Sequence, residues 1–516
     1  MERQSSPGLS RRRLLKIATG SAFALPIAAC FQPQQGAAPT PTAGATAGAT
    51  AAPTSSPRGP VTIRWVDAQA GPANYNRSWY ERYQEMHPNV KIEYTLVPVA
   101  EASRTIQLFL QSDTPPDVFA DTGVPAVSLI ANKVVQPIEP YVTKEWKDTF
   151  PPETWLEGGM VFEGQAYSFP HSGTRQSEGV LFYNKDVFRK AGLDPEKPPA
   201  TWAELREYSR QITEAGKGQF YGMIYSGRLP QQVGQFATVM ATSSGSAFGP
   251  IGGGRATTGG IDWTTGDYAY SRDLYAEAVE LLRQLDQDGS VFPGWASLSP
   301  QDAMARMAQG VAGMFAWGSY VVGQLRTGNY PEFDYGFAPP PTKGSQRFHL
   351  NTDPALPGLY LNAQSKAPDV VGELIMFRSS PEYFKGYVEQ VGVQPSPLPD
   401  VDAAANVQPQ FAGALKFFND WVRYQPMPTI RNTQQTQVAL EMKQVQPNFA
   451  GRILAGVAGE ADIRASLRQY DQLLTAERAR AIEAVKAKGA DVSTDDWVFR
   501  NWTRSKDYGD ADYSEA

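Results

Sequence analysis

Polar side chains that could hold a small solute follow a predicted strand near the start of the chain. Residues 61–66 alternate between apolar and polar types as a strand does, and Asp67 and Gln69 come directly after them. In open α/β sheets the carboxyl ends of the strands form the edge that binds ligands. Carboxylates and amides at that edge exchange hydrogen bonds with the polar groups of a solute. The chemistry predicted here is recognition by hydrogen bonds.

Further polar candidates lie in predicted loops. Thr174 and Arg175 belong to the polar loop 171–177 between two predicted strands, and Arg228 follows the predicted strand 220–225. Arginine binds phosphate through paired hydrogen bonds, so Arg175 and Arg228 would anchor an anionic solute such as a glycerol phosphodiester.

Aromatic side chains offer a different kind of contact. The chain has 11 Trp, 23 Tyr and 24 Phe. Most of them are expected to fill the core, but a ring exposed in a cleft stacks on the C–H face of a sugar. One candidate is Trp263, which closely follows the glycine-rich run 252–260. That run lacks the spacing and the lysine of a phosphate-binding loop, so we interpret it as a surface loop.

The sequence carries no motif of a catalytic centre. Its only histidines are at positions 87, 171 and 349, without metal-ligand spacing, and Cys30 is its only cysteine. No GxSxG nucleophile elbow is present. We therefore predict a protein that is not an enzyme and needs no cofactor. A glycosidase stays open as an alternative, because its two carboxylates need only be close in space. The net charge of −6 and the lack of a basic block argue against nucleic acid as a partner.

The stretch 163–206 predicts how such residues are positioned. Residues 166–169 alternate as a half-buried strand, and the apolar run 180–183 is typical of a strand buried on both faces. Asn184 is placed to cap the helix that follows, while Thr201 and Glu204 have the spacing of a capping box. Strand, polar loop, strand and helix together predict a crossing of the chain between two α/β lobes.

This stretch resembles the extracellular solute-binding proteins of ATP-driven importers, in particular their carbohydrate-binding group. The similarity covers Gly164, Tyr167, Pro170 and residues 183–194 and 198–204, and it returns at residues 311–320 and 333–340. The resemblance implies an α/β fold of the periplasmic-binding-protein type II. Each of its two lobes is then a mixed sheet flanked by helices, and several hinge crossings join the lobes.

The resemblance also implies positions for ligand contacts. Tyr320 matches the aromatic residue that commonly stacks on the sugar in this family, and Trp317 lies three residues before it. The other implied positions are the end of the third strand and the return crossing between the lobes. They hold Asp121, Thr122, Asn351 and Asp353.

The N-terminal residues resemble an export signal with a lipid anchor. Arg11 and Arg12 stand in a twin-arginine motif, and the apolar segment 17–29 is too short to span a bilayer. Cys30 follows in a lipobox-like context, which implies acylation there. Residues 31–60 are rich in Ala, Thr, Pro and Gly and are expected to form a disordered tether. We therefore expect a protein that is lipid-anchored at the extracytoplasmic face of the membrane.

The predicted function is a monomeric receptor that captures a sugar or oligosaccharide by hinge closure and delivers it to the permease subunits of an ABC importer. Alternatives are a receptor for a non-sugar polar solute, a lipoprotein enzyme acting on polysaccharide, and a sensor or scaffold without an importer. The predicted domains are a signal peptide, a tether, two lobes and a C-terminal helix with a polar tail. Their bounds are 1–30, 31–60, 61–170 plus 345–393, 171–344 plus 394–475, and 476–516.

Overall fold

The structure is a computed structural model that describes residues 59–98, 101–121, 124, 126–246, 259–354 and 358–515. The predicted export motif at Arg11 and Arg12, the predicted acylation site Cys30 and the predicted tether up to residue 58 lie outside the described residues. Thr122 and most of the glycine-rich run also lie outside them.

Fifteen strands are present in the described residues. In chain order they are β1 (Val61–Asp67), β2 (Val90–Leu96), β3 (Val118–Ala120), β4 (Val161–Phe162), β5 (Gln165–Ala166), β6 (Ser168–Phe169), β7 (Val180–Asn184), β8 (Tyr221–Met223), β9 (Ile261–Asp262), β10 (Asp267–Tyr268), β11 (Ala312–Trp317), β12 (Tyr335–Ala338), β13 (Leu350–Thr352), β14 (Leu359–Leu361) and β15 (Val422–Tyr424).

The helices of the described residues are mostly short. They are α1 (Ala73–Met86), α2 (Ala102–Leu110), α3 (Ala126–Ala131), α4 (Lys144–Lys147), α5 (Lys185–Lys190), α6 (Trp202–Gly216), α7 (Pro230–Ser243), α8 (Asp273–Gln287), α9 (Pro300–Ala308), α10 (Val321–Thr327), α11 (Pro368–Arg378), α12 (Pro381–Gly386), α13 (Pro399–Ala404), α14 (Pro409–Trp421), α15 (Pro428–Arg431), α16 (Gln435–Glu441), α17 (Phe449–Val457), α18 (Ile463–Lys486) and α19 (Asp510–Glu515). Across the described ranges, no helix is long and apolar enough to cross a membrane.

Two mixed sheets form the framework. The first sheet has the order β2-β1-β3-β14-β6, with β1 parallel to β2 and β3, and β14 antiparallel to its two neighbours. The second sheet has the order β12-β7-β11-β8, with β7 antiparallel to both β12 and β11. Each sheet has its own buried side chains, such as Trp65 and Phe119 in the first and Phe182 and Met223 in the second. The predicted two-lobed α/β fold is confirmed, while the exact lobe boundaries stay a prediction.

Local sequence signals explain the elements around the first crossing. All five residues of β7 are buried, as the continuous apolar run predicts. Asn184 accepts a hydrogen bond from the Val187 amide and so caps α5, and Thr201 with Glu204 forms a complete capping box on α6. These caps fix where the chain passes from β7 into the helices α5 and α6, which pack on the second sheet.

The chain passes between the sheets through three crossing segments. The first, residues 170–179, runs from β6 to β7, and the second, residues 339–358, runs from β12 to β14 and includes β13. The third, residues 392–398, leads from the helices on the first sheet to α13 and α14, and α14 packs on β12. The first and third lie side by side, because the Gly173 amide donates to the Pro395 carbonyl at 2.8 Å.

The C-terminal part differs from the prediction. The C-terminal helix, predicted to begin at residue 476, begins earlier, at Ile463, where Asp462 caps it, and it ends at Lys486. The predicted polar tail is folded against the body, and we name residues 497–513 the C-terminal strap. Trp497, Phe499, Trp502 and Tyr508 of the strap are buried. The polar residues between them hid this apolar surface from a periodicity analysis.

Candidate functional site

The two sheets present their ligand-binding edges to each other. β1, β3 and β6 run in the same direction, so the carboxyl ends of β1 and β3 lie on the edge from which the first crossing segment leaves. In the second sheet Trp317 pairs with Val180, so the end of β11 lies beside the start of β7, where that segment arrives. Residues just beyond these strand ends therefore face the space between the sheets.

Glu178 and Tyr320 meet at this edge of the second sheet. The Tyr320 hydroxyl donates to Glu178 Oε2 at 2.8 Å, and both side chains are half-buried. The Tyr320 ring stands edge-on to Trp317, with ring centroids 4.8 Å apart and an angle of 87° between the planes. Trp317 is only 8% exposed, so the structure does not support it as a predicted stacking residue, and its ring supports Tyr320 from behind. Tyr320 and Glu178 are the partly exposed members of the corner that these three side chains form.

Burial controls the charge of Glu178. Loss of hydration raises the pKa of its carboxyl to about 7, and the hydrogen bond from Tyr320 opposes this shift. Within the described part of the chain, its second oxygen, Oε1, has no hydrogen-bond partner. Gly318 makes room for the pair, because a Cβ there would collide with Tyr320 and with Glu178 Oε2. The sequence alone did not identify Glu178 as a candidate. The available signal was its position two residues before the buried strand β7, since Tyr320 stands a similar distance after the buried strand β11.

The buried carboxylate of Asp67 stabilises the loop after β1 through hydrogen bonds to its backbone. Its carboxylate accepts hydrogen bonds from the amides of Ala68 and Gln69, at 2.7 and 3.0 Å, and from the Tyr94 hydroxyl. It is 3% exposed, so it shapes the loop and leaves little surface for a solute. Gln69 is presented by this loop and contacts His171 of the first crossing segment, with Nε2 atoms 2.5 Å apart.

His171 is uncharged at neutral pH. Burial and the nearby Arg378 guanidinium lower its pKa to about 4, although the carboxylate of Asp67 acts in the opposite direction. The contact with Gln69 therefore joins two neutral groups, and it ties the loop after β1 to the first crossing segment.

Asp121 and Arg228 are exposed at strand ends. The Asp121 amide donates to the Gly358 carbonyl at 2.9 Å, which places its side chain at the end of β3. Arg228 follows β8, and its amide donates to the Leu298 carbonyl at 3.1 Å. Both side chains are at the edges where the prediction put them, but neither belongs to the Glu178–Tyr320 corner.

Three other predicted contacts lie deeper. Trp263 is fully buried, and its indole N–H donates to Gln425 Oε1 at 3.1 Å. Gln425 in turn donates to Asp353, which is 2% exposed. Asn351 donates to the Arg504 carbonyl of the C-terminal strap. In this conformation these side chains connect the second crossing segment to the strap, and the Trp263 ring fills the core.

Arg175 and Thr174 are engaged within the protein. The guanidinium of Arg175 makes two hydrogen bonds of 3.0 Å to the Asp507 carboxylate and lies 4.3 Å from the centre of the Tyr424 ring. The Thr174 hydroxyl donates to the Pro354 carbonyl. An anion would have to displace Asp507 before Arg175 could bind it. Asp507 lies 332 positions away, so no local pattern reveals this pair.

A cavity of about 370 Å³ lies against the crossing segments. Its wall includes Thr174, Arg175, Pro395 and Asp402, but neither Glu178 nor Tyr320. Burial raises the pKa of Asp402 to about 7, and the Ser396 amide donates to both of its oxygens. The charged groups of the wall are largely paired within the protein, as in Arg175 with Asp507 and Lys416 with Asp420. The Glu178–Tyr320 corner is the better candidate because it lies at the strand ends of the second sheet that face the first sheet.

Comparison with known proteins gives consistent findings. A model of the bacterial extracellular solute-binding protein family matches residues 67–383. A binding protein of Brucella abortus (strain 2308) is 24% identical over 315 residues, which cover 59% of this chain and 68% of that protein. The sn-glycerol-3-phosphate-binding periplasmic protein UgpB of Agrobacterium fabrum is 31% identical over 153 residues, 29% of this chain and 32% of its own length.

A solved structure extends the similarity to the fold. The cyclic α-maltosyl-1,6-maltose binding protein from Arthrobacter globiformis matches with a TM-score of 0.54 and 20% sequence identity. The match covers 84% of this chain and 100% of that chain. The shared fold therefore extends over most of this chain.

Proposed function

This chain belongs to the bacterial extracellular solute-binding protein family, and from that membership we propose that it is the receptor of an ABC importer for a sugar or oligosaccharide. The observation that carries the choice of solute is the partly exposed pair of Tyr320 and Glu178, with the buried Trp317 packed edge-on against the Tyr320 ring. Aromatic faces suit the C–H surface of a sugar ring, and a carboxylate suits its hydroxyl groups. The similarity to an oligosaccharide-binding protein of known structure supports the proposal.

Capture proceeds by closure of the lobes. A solute that contacts the edges of both sheets favours the closed form, because only that form makes both sets of contacts. The moving bodies are the lobes 61–170 plus 345–393 and 171–344 plus 394–475, and the closed receptor docks on the permease subunits as a monomer. Gln69 and Asp121 on the first sheet and Tyr320 and Glu178 on the second are the contacts that we expect to converge.

Replacement of Tyr320 by alanine should weaken sugar binding by about 10- to 100-fold, since it removes the stacking surface and a hydrogen bond to Glu178. Isothermal titration with the sugar that stabilises the protein most in a thermal-shift screen measures this loss. Tyr330→Ala is the control, because Tyr330 is also half-buried but lies in the loop after α10. Equal affinities for the two variants would contradict a role of Tyr320 in the site.

Membrane attachment is part of the same proposal. The twin-arginine motif and the lipobox-like context of Cys30 support export followed by acylation. Cys30→Ala should shift the protein from the membrane pellet to the soluble fraction after cell fractionation. Cys30→Ala protein that stays in the pellet as the wild type does would show that the anchor lies elsewhere.

A second candidate solute is a glycerol phosphodiester or a related anion. The local similarity to UgpB supports it, and so does the exposed Arg228 at the end of β8. Binding of sn-glycerol 3-phosphate without any response to sugars would favour this candidate. The similar proteins are binding proteins, which supports a function without catalysis. Turnover of a chromogenic glycoside would reveal an enzyme instead.

A further inference from the structure

The carboxyl group of Glu178 is only half satisfied by the protein. Oε2 accepts the Tyr320 hydroxyl, and Oε1 has no hydrogen-bond partner in the described ranges. The side chain is only partly buried, and Oε1 is not among the fully buried unpaired atoms of the described residues, so it remains accessible to solvent. A carboxylate oxygen kept free beside an aromatic corner has the geometry to accept hydrogen bonds from a bound molecule.

The surroundings of Glu178 contain little positive charge. The helix packed behind its segment, α7, has no acidic or basic residue between Pro230 and Ser243. From the other side, the loop after β11 contributes Gly318 and the neutral Tyr320 hydroxyl. On its own segment the nearest basic side chain is Arg175, whose guanidinium is paired with Asp507. No basic group of these elements is therefore available to neutralise a second negative charge next to Glu178.

We propose that Glu178 is the specificity-determining residue of the solute site: its free oxygen accepts hydrogen bonds from the hydroxyl groups of an uncharged sugar and excludes solutes that carry a phosphate there. This inference rests on the proposed sugar-binding function and refines it. Two negative charges in a site that excludes water repel far more strongly than in bulk solvent, because the dielectric screening is weaker. Hydroxyl groups replace the water that Glu178 loses on closure, whereas a phosphate cannot donate in its dianionic form.

The same contact links binding to pH. Donation by sugar hydroxyls stabilises the carboxylate, so the pKa of Glu178 falls from about 7 when the sugar binds, and a proton is released. Protonation of the free receptor then competes with the sugar below neutral pH. The affinity for the sugar is therefore highest above about pH 7. It decreases as the pH falls, by at most about tenfold per pH unit, because a single proton is involved.

The test compares wild type with Glu178→Gln, which keeps the shape and an acceptor for Tyr320 but removes the charge. Isothermal titration is carried out between about pH 5.5 and 8.5. The neutral probes are maltotriose, mannotriose and xylotriose, and the anionic probes are sn-glycerol 3-phosphate and glucose 6-phosphate. Glu332→Gln is the matched control, because Glu332 is exposed in the loop before β12. Circular dichroism confirms that each variant is folded.

We expect a neutral trisaccharide to bind wild type and Glu332→Gln with affinity that falls on acidification. Glu178→Gln should bind it at least about 10-fold more weakly at pH 8, with no dependence on pH, and should discriminate less against the phosphates. If a neutral sugar binds wild type and Glu178→Gln equally with the same pH profile, the inference about Glu178 is overturned while the sugar receptor stands. If no neutral sugar binds wild type, or only a phosphate does, the proposed function fails and the inference fails with it.

Discussion

Replacement of Phe499 by alanine is expected to lower the free energy of unfolding by about 3–5 kcal/mol, the range for truncation of a buried phenylalanine. Phe499 is 0% exposed in the C-terminal strap, and its amide donates to the Trp263 carbonyl at 2.6 Å. Its ring contacts those of Trp263, Tyr508 and Tyr513, with centroids 5.5 to 6.0 Å apart. The cavity left by alanine would lie between the strap and the second lobe.

Urea denaturation of the purified protein measures this loss. Arg500→Ala is the control, since Arg500 is exposed next to Phe499, and its effect should stay within about 0.5 kcal/mol. If Phe499→Ala unfolds at the same urea concentration as wild type, the strap does not belong to the cooperative folding unit. The expected result instead makes the strap part of the framework, because it also holds Arg175 of the first crossing segment through Asp507.

Local sequence signals predicted the elements that frame the site. The apolar run of β7, the cap at Asn184 and the capping box of Thr201 and Glu204 each depend on residues within a few positions of one another. The structure confirms all three. Strand β1, which carries Asp67 and Gln69 at its end, was predicted from the alternation of residues 61–66. The stretch that contains β11 was singled out only by the family resemblance at residues 311–320. The strand and helix boundaries that these local signals set decide which residues lie at the facing edges of the sheets.

Long-range pairing could not be predicted in the same way. Arg175 is a plausible anion anchor until Asp507 is brought beside it by the folded strap. Trp263 is a plausible stacking residue until Gln425 and Phe499 enclose it. Glu178 shows the converse, because an unremarkable loop carboxyl becomes a candidate contact only when the register of β7 and β11 places Tyr320 next to it. These outcomes depend on tertiary contacts over long sequence separations.

Replacement of Gly158 by alanine is expected to lower the free energy of unfolding by about 2–5 kcal/mol, from backbone strain and overpacking together. Gly158 has a φ of +77°, a conformation that costs a residue with a Cβ about 1–2 kcal/mol. A Cβ there would also overlap the carbonyl oxygen of Thr429 in α15. The backbones of the turn before β4 and of α15 are therefore in direct contact. A Cβ on residue 158 would meet backbone atoms there, not a side chain that could rotate away.

Gly164→Ala separates the two causes. Gly164 lies in the same region with a φ of +74°, but nothing lies within 4 Å of a Cβ placed there. It should therefore show the strain of about 1–2 kcal/mol alone. Thermal and urea unfolding measure the free energy of unfolding of both variants. The difference between the two losses is the cost of the overlap between the new Cβ and Thr429. If the two substitutions lower the free energy of unfolding equally, α15 can shift away from residue 158 at no cost. The contact between Gly158 and Thr429 would then not contribute to holding α15 against the first lobe.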